Sequence, residues 1–302
     1  MSIRRILRLG ILVALPFWPA AALAKAEAHG PVAIVYSLAG EASLAAPGAD
    51  VRPLRLFDRL PAGTTVEVAR SSRLALAFAN GLRYELGERS RVTLGPRDLA
   101  SRTGPVRALS RVPPLPCLSP IATKDRPGPR AGAVRIRGER IPGLYPRRGA
   151  TALVEATVLR FSPVAGARGY RIEVQDVQGL TVFRAGTESP PVNVPAGTLR
   201  PGHGYQWTVR TLDRPGAVAR GEAELVTLSE KAAQARDEAR RILAAEGPGS
   251  LPLLAEIDRS LGLWLDARED LRAALDDKSG DRALREALAE IEARLEDEDD
   301  RE

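Results

Sequence analysis

Hydrophobic and polar positions alternate along this chain with two different periods, first that of strands and later that of helices. From Ala33 the run Ala-Ile-Val-Tyr-Ser-Leu predicts a strand, Gly40-Glu41 a turn, and Ala42 to Ala45 a second strand. Ala46-Pro-Gly-Ala-Asp50 is rich in turn residues. Leu54 to Leu60 leads to a turn at Pro61-Ala-Gly63, and Thr64-Thr-Val-Glu-Val68 alternates again. In Arg73 to Phe78, Leu74, Leu76 and Phe78 share one face, and Leu82 to Leu86 answers with the same alternation. Between them, Asn80-Gly81 predicts a tight hairpin, because both residue types tolerate positive φ. Arg91 to Leu94 closes the series. Short strands spaced about 8 to 12 residues apart predict a rolled or barrel-like β domain over residues 25–100.

Residues 101–149 have a different texture. Val112-Pro-Pro-Leu-Pro116, Pro120, Pro127-Gly-Pro129 and Pro146 keep regular helix out, which predicts an extended connector with one strand at Ala133 to Arg137. Arg126, Arg130, Arg135, Arg137, Arg140, Arg147 and Arg148 make it the densest basic stretch, either a solvated linker or a strip for docking anions. Over residues 150–228 alternation returns in Val158 to Pro163, Tyr170 to Val174, Leu180 to Phe183, Tyr205 to Arg210 and Ala223 to Leu228, as expected of a β-sandwich.

From Ser229 the period becomes helical. Ala232, Ala235, Ala239, Ile242 and Leu243 form a stripe, with Thr227 and Glu230 as a candidate capping box and Gly247-Pro-Gly249 as the stop. Ser250 is placed to cap Leu251 to Leu261, whose Leu254, Ile257 and Leu261 share a face. After Gly262, Leu265 to Leu275 continues with Leu271 and Leu275 inward. Asp281 is placed to cap Arg282 to Leu295, where Leu284, Leu288, Ile291 and Leu295 repeat the stripe. Glu296 to Glu302 is almost wholly charged and predicts a disordered acidic end. The fold class expected is multidomain and mainly β, closed by a small C-terminal α-helical bundle over residues 229–295.

Three stretches resemble known families. Ile34 to Leu94 resembles a FecR-like domain: an opening strand into Gly40, Leu60-Pro-Ala-Gly63 before Thr64 to Val68, Leu74 to Gly81, and Leu86 to Leu94 with Ser90. That family's best-known members are periplasmic parts of membrane-spanning regulators, so the resemblance implies an extracytoplasmic β module. Leu199-Arg-Pro-Gly202 followed by Tyr205-Gln-Trp-Thr-Val resembles a fibronectin type III domain. It implies that Tyr205 is the corner tyrosine, bonding back to its loop, and that Trp207 is a core residue. Pro248 to Asp281 resembles one tetratricopeptide repeat through Ala255, Leu261-Gly262, Asp266-Ala267 and Ala274-Leu275. Gly262, Ala267 and Ala274 stand at its turn and small-residue positions, and Trp264 is the candidate partner contact. A single repeat needs flanking helices to close a core, so the segment is either a cap on the sandwich or a protein-binding groove.

The N-terminus changes the setting. Arg4, Arg5 and Arg8, the apolar stretch from Ile11 to Trp18, and Ala22-Leu23-Ala24 predict a secretory signal over residues 1–24. Export to the periplasm is the leading expectation, with an extracellular or outer-membrane-associated place as the alternative. No later stretch approaches the roughly 18 apolar residues of a membrane helix, so no membrane span of its own is expected. Cys117, the single cysteine, allows no internal disulfide.

Charge is divided. The chain carries a net +6, yet residues 229–302 hold 21 acidic against 12 basic side chains. Residues 25–228 keep 29 basic against 17 acidic, which suggests separate partners for the two parts or contact between them. Exported location and few aromatics argue against nucleic acid. Catalytic constellations are not legible either: His29 and His203 are the only histidines, no Gly-x-Ser-x-Gly elbow occurs, and no calcium-loop spacing occurs. The expectation is a non-enzymatic envelope protein with no cofactor and no metal. It would act as a scaffold or adaptor, binding envelope proteins through its helical segment. Two alternatives stand beside it: a binder of cell-wall or surface glycans through the basic β domains, and a ligand-sensing regulator working with a membrane-bound partner.

Overall fold

The computed structural model describes residues 30–118, 139–212 and 218–296. The secretory signal expected over residues 1–24, the strand expected at Ala133 to Arg137 and the acidic end beyond Glu296 lie outside the described residues. The architecture is mainly β, with several sheets followed by four helices.

The first β domain is built from β1 (Ala33–Ala39), β2 (Ala42–Ala45), β3 (Arg52–Pro53), β4 (Arg59–Leu60), β5 (Thr65–Val68), β6 (Arg73–Phe78), β7 (Arg83–Leu86), β8 (Arg91–Leu94), β9 (Leu99–Thr103) and β10 (Val106–Ala108). These form two five-stranded antiparallel sheets, ordered β10-β7-β6-β1-β4 and β3-β2-β5-β8-β9. Ala33, Val35, Leu44, Leu60, Val66, Leu74, Leu76, Phe78, Val92 and Leu94 fill the space between them. The ring of Phe78 meets Tyr84 edge-on at 6.1 Å. Leu54 to Leu60 is mostly a loop, with only its last two residues in a strand.

The sheets continue past Leu99 into the stretch read as connector, because β9 pairs with β8 and β10 with β7. Both are edge strands with mostly exposed side chains. Backbone hydrogen bonds hold them, and backbone pairing leaves no alternation in the sequence. Beyond them a short 3-10 turn, Pro116–Leu118, buries Cys117 and Leu118.

The Asn80-Gly81 hairpin forms as expected. Gly81 has φ 87, and Leu82 N donates to Asn80 Oδ1 at 3.1 Å. A β-carbon at Gly81 would lie 1.9 Å from the Val112 carbonyl oxygen, which is backbone and has no rotamer by which to retreat. Gly81→Ala is therefore expected to cost about 2 to 3 kcal/mol, read from the urea midpoint. A loss under about 0.5 kcal/mol would mean that the Val112 strap yields.

The second domain comprises β11 (Thr151–Ala152), β12 (Val158–Leu159), β13 (Gly169–Asp176), β14 (Thr181–Thr187), β15 (Val192–Asn193), β16 (Gly204–Leu212) and β17 (Arg220–Thr227). A five-stranded sheet, β11-β17-β16-β13-β14, faces the pair β12-β15 across a core of Leu159, Phe161, Ile172, Val174, Trp207, Val209 and Leu225. Tyr205 is the corner tyrosine, its hydroxyl accepting from Arg200 N at 2.7 Å. Trp207 is fully buried, and its indole N–H donates to Pro146 O at 2.8 Å. The segment before the sandwich thus enters its hydrogen bonding.

The helices are α1 (Glu230–Ala244), α2 (Leu251–Leu261), α3 (Trp264–Asp277) and α4 (Arg282–Glu296). Two caps differ from expectation. Ser229, not Thr227, caps α1, accepting from Ala232 N. Thr227 is committed to the sandwich, where its hydroxyl donates to Arg200 O at 2.6 Å. Ser250 makes no cap bond to α2, and its hydroxyl donates back to Leu243 O and Gly247 O, tying off the end of α1. Gly262 (φ 80) closes α2 in the left-handed conformation, and Asp281 Oδ1 accepts from Ala283 N and Leu284 N to start α4. Ala255, Ala267 and Ala274 are buried where α2, α3 and α4 meet.

The bundle does not stand apart. Ile34, Tyr36, Ala75 and Ala77, on the outer face of the β1–β6 sheet, pack with Leu115, Cys117 and Leu118 against Ala239, Leu243, Leu253, Leu254 and Ile257 of α1 and α2. Leu56 and Phe57 of the first domain pack against the α3–α4 cluster. The first β domain therefore occupies the apolar face that the bundle would offer to a partner.

Candidate partner-binding cleft

Two groups of side chains carry the chemistry of the helical segment. The first is a buried ion network between α1, α2 and α3. Asp258 is fully buried and accepts from Arg236 Nε at 2.8 Å, Arg236 Nη2 at 2.9 Å and Arg240 Nη2 at 2.9 Å. Arg236 also reaches Asp266 at 2.7 Å, and Arg240 reaches Asp270 at 2.9 Å. Each guanidinium bridges Asp258 to a second carboxylate, so two arginines link three aspartates across the helices as a structural clamp.

Burial pushes the Asp270 carboxyl up to about 6, against the attraction of Arg240 and Arg236 and with a contribution from the neighbouring Asp258 charge. Its ordinary value, about 3.9, holds in the unfolded chain, so the folded state binds the proton more tightly between pH 4 and 6. The stabilisation from this group is fully present below pH 4 and is lost as pH rises through about 6. Asp270→Asn removes the titration. The stability of the variant relative to the parent should rise by up to about 3 kcal/mol between pH 4 and 7 in urea unfolding. A difference that stays flat with pH would contradict the assignment.

The second group lines an open cleft where the pre-sandwich segment meets α3 and α4. Tyr145, Arg147, Arg148, Ala150, Trp264, Arg294 and Leu295 line a shallow depression that opens to solvent. Trp264 sits half-buried at the start of α3, its indole N–H donating to Gly149 O at 3.3 Å. The Arg294 guanidinium lies over its ring, 4.7 Å from the centroid. Arg147 donates Nη2 to the carbonyls of Arg294 at 3.0 Å and Leu295 at 2.8 Å, meeting the unpaired acceptors and negative dipole end of α4. Burial pushes the Tyr145 hydroxyl up to about 12, against backbone hydrogen bonds from Leu265 and Trp264. Arg148 is exposed at the rim.

Of the residues expected to bind partners, the fold brings Trp264, Arg147 and Arg148 together. Arg140 does not line the cleft: it lies beside the sandwich, bridged to Arg220. Arg126, Arg130, Arg135 and Arg137 lie outside the described residues. Tyr145 and Arg294 were not singled out from the sequence. Arg294 stands on the polar side of an ordinary amphipathic helix, and only packing sets it over Trp264.

The cleft is shallow and open. It has a ring edge, two guanidinium groups at its rim and no nucleophile paired with a base. His203 is remote from this chemistry, its Nδ1 held at 2.8 Å from Pro201 O in an exposed turn. Among the described residues no group of three His, Cys, Asp or Glu side chains is arranged to hold a metal ion, and no helix is long and apolar enough to cross a membrane.

No protein-family model and no curated protein matches this chain. Among solved structures it is similar to a mutant FN3tt domain, at 17% identity and a TM-score of 0.22 over 28% of this chain and 92% of that one. It is also similar to the chicken CNTN1 FN1-FN3 domains, at 9% identity and a TM-score of 0.23 over 66% of this chain and 62% of that one. A β-D-glucuronidase from Dictyoglomus thermophilum is similar at 9% identity and a TM-score of 0.20, over 66% of this chain and 44% of that one.

Proposed function

We propose that this chain is a non-enzymatic, exported scaffold of the cell envelope that binds a partner protein at the cleft of Trp264, Arg148 and Arg294. In this reading residues 33–118 are a FecR-like β module and residues 150–228 a fibronectin type III-like module. The helical segment locks the modules together and contributes one wall of the binding surface. The observation that carries it is the convergence of Trp264, from the helical segment, with Arg147 and Arg148, from the basic stretch, in one solvent-open cleft. An aromatic anchor flanked by arginines is the composition that concentrates binding energy at protein interfaces.

Deleting the helices is a poor test, because it would bare the apolar sheet face that α1 and α2 cover and make the remainder adhesive. Point changes avoid this. Crosslinking capture from envelope fractions should compare the intact chain with Arg148→Glu, at an exposed position, and with Trp264→Ala, whose fold is checked by melting. A specific protein captured by the parent and lost from both variants supports the reading. The same proteins captured by all three would exclude the cleft. Wall or lipopolysaccharide material stripped by salt from all three would favour a glycan binder instead.

A further inference from the structure

Helix α4 ends where the pre-sandwich segment crosses it. Arg147 Nη2 donates to the carbonyls of Arg294 at 3.0 Å and Leu295 at 2.8 Å, so residues 147 and 148 stand at the carboxyl end of that helix. Arg147, Arg148 and Arg294 all line the cleft there, and no carboxylate is among the lining side chains. Asp266, two residues beyond Trp264, is already committed to Arg236 at 2.7 Å. Among the described residues neither Arg148 nor Arg294 has an ion-pair partner, and Arg294 lies instead over the Trp264 ring.

The sequence supplies acid at this very place. Directly after Glu296, the last residue of α4, come Asp297, Glu298, Asp299 and Asp300, then Arg301 and Glu302. Such a run is badly placed for the helix it follows, because the carboxyl end of a helix is the negative end of its dipole and repels anions. Cations at that end offset the repulsion, and the three cleft arginines are the ones that stand there. Six residues extend to at most about 20 Å, at roughly 3.3 to 3.6 Å each, so the run starts beside the cleft and keeps it within reach. So short a connection holds the acids near the arginines at an effective concentration of order millimolar.

We propose that the acidic segment 297–302 lies across Arg148 and Arg294 and occupies the cleft until a partner displaces it. Its regulatory meaning rests on the cleft being the partner site; the docking itself does not. The chain's own segment is favoured over that of a second copy, because contact within one molecule needs no encounter. Charge holds the segment down, so salt releases it: the screening length falls from about 10 Å at 0.1 M to about 3 Å at 1 M.

The first test is a crosslink in the full chain. Lys25, Lys124, Lys231 and Lys278 are its only lysines, and none lines the cleft. Arg148→Lys keeps the charge and puts one amine at the rim. A carbodiimide activates a carboxylate, the amine attacks its carbonyl carbon, and an amide bond forms as the reagent leaves as its urea. Mass spectrometry should find residue 148 joined to the 297–302 peptide within the monomer, at a yield at least about fivefold lower in 1 M than in 0.1 M salt. No such crosslink, or one found only in dimers, would overturn the proposal.

The second test neutralises the segment with Asp297→Asn/Glu298→Gln/Asp299→Asn/Asp300→Asn. Acrylamide should then quench tryptophan fluorescence at least about twofold more strongly than in the parent, through Trp264, since Trp207 is fully buried. Glu238→Gln/Glu269→Gln/Asp276→Asn/Asp277→Asn removes equal charge from exposed helix positions and should quench like the parent. Unchanged quenching on neutralising the segment, or an equal rise in the control, would also overturn the docking. In envelope capture the neutralised chain should take at least about threefold more of the protein that Trp264→Ala loses; unchanged or weaker capture would overturn the competition. Crosslinking and quenching need no partner. Capture that ignores the cleft variants would therefore sink the partner reading alone, and a missing crosslink would sink the docking alone.

Discussion

Replacing Arg83 with alanine is expected to cost the fold about 3 to 5 kcal/mol and to release the helical segment from the first β domain. Arg83 projects from β7 and its side chain is wholly buried. Its Nη1 donates to Glu246 Oε2 at 2.8 Å and its Nη2 to Glu246 Oε1 at 2.5 Å, at the end of α1. Nε and Nη2 also donate to Ser110 O at 2.8 and 2.6 Å, and the guanidinium lies 6.0 Å from the Tyr36 ring centroid. One side chain thus ties β7, the strap after β10 and α1 together. Its removal leaves a cavity, a carbonyl without its donor and a carboxylate without its counter-ion.

Cys117 provides a local readout. It lies in the cluster between sheet and helices, and burial pushes its thiol up to about 12, so it should resist alkylation while the helices stay docked. Arg83→Ala should both lower the urea midpoint and speed Cys117 alkylation in the absence of denaturant. Arg83→Met, which keeps most of the volume, should lose less. Alkylation at the parental rate in Arg83→Ala would show that the docking does not depend on this ion pair.

Asp258→Ala should rank next, at about 3 to 4 kcal/mol. Arg236, itself buried, would keep Asp266 and the more distant Asp237, and Arg240 would keep Asp270, so both guanidinium groups lose their shared partner and the buried Arg236 regains no water in exchange. The network also makes the effects non-additive. Asp258→Ala combined with Arg236→Ala should cost less than the sum of the two single changes, because the second change removes the charge that the first stranded. Strict additivity in a double-mutant cycle would show that the two do not act as a pair. Without the Asp258 charge, the Asp270 carboxyl should titrate lower, shifting the pH dependence of stability in the same direction.

Most of the strands and all four helices were legible because their signal is local. Alternation in Arg73 to Phe78, Asn80-Gly81 at a hairpin, the left-handed stop at Gly262 and the carboxylate of Asp281 each act within a few residues of themselves. The edge strands β9 and β10 were not legible, since backbone pairing to β8 and β7 needs no particular side chains. The cap of α1 moved by two residues because Thr227 is claimed by the Arg200 and His203 carbonyls of the preceding turn. In the cleft, Trp264 and the paired arginines were visible as residue types, but Tyr145 and Arg294 were not, as nothing near them in sequence marks either.

One sequence signal carried more than its local reading. Ala33 to Tyr36 and Leu74 to Phe78 are continuously apolar, where a sheet with one wet face would alternate strictly. Both faces of β1 and β6 are in fact buried, one by the opposing sheet and the other by α1 and α2. The run announced a second cover without saying which element supplies it.

The sequence by itself determined the order of β and helical parts, most of the element types and the division of charge, since each depends on periodicity, turn chemistry or composition along a short stretch. Only the tertiary structure decided that the helices dock on the first β domain, that Arg83 meets Glu246, that Trp264 meets Arg294 and that Arg147 meets the end of α4. Those pairings join residues far apart in the chain, and burial and packing select them after the local elements exist.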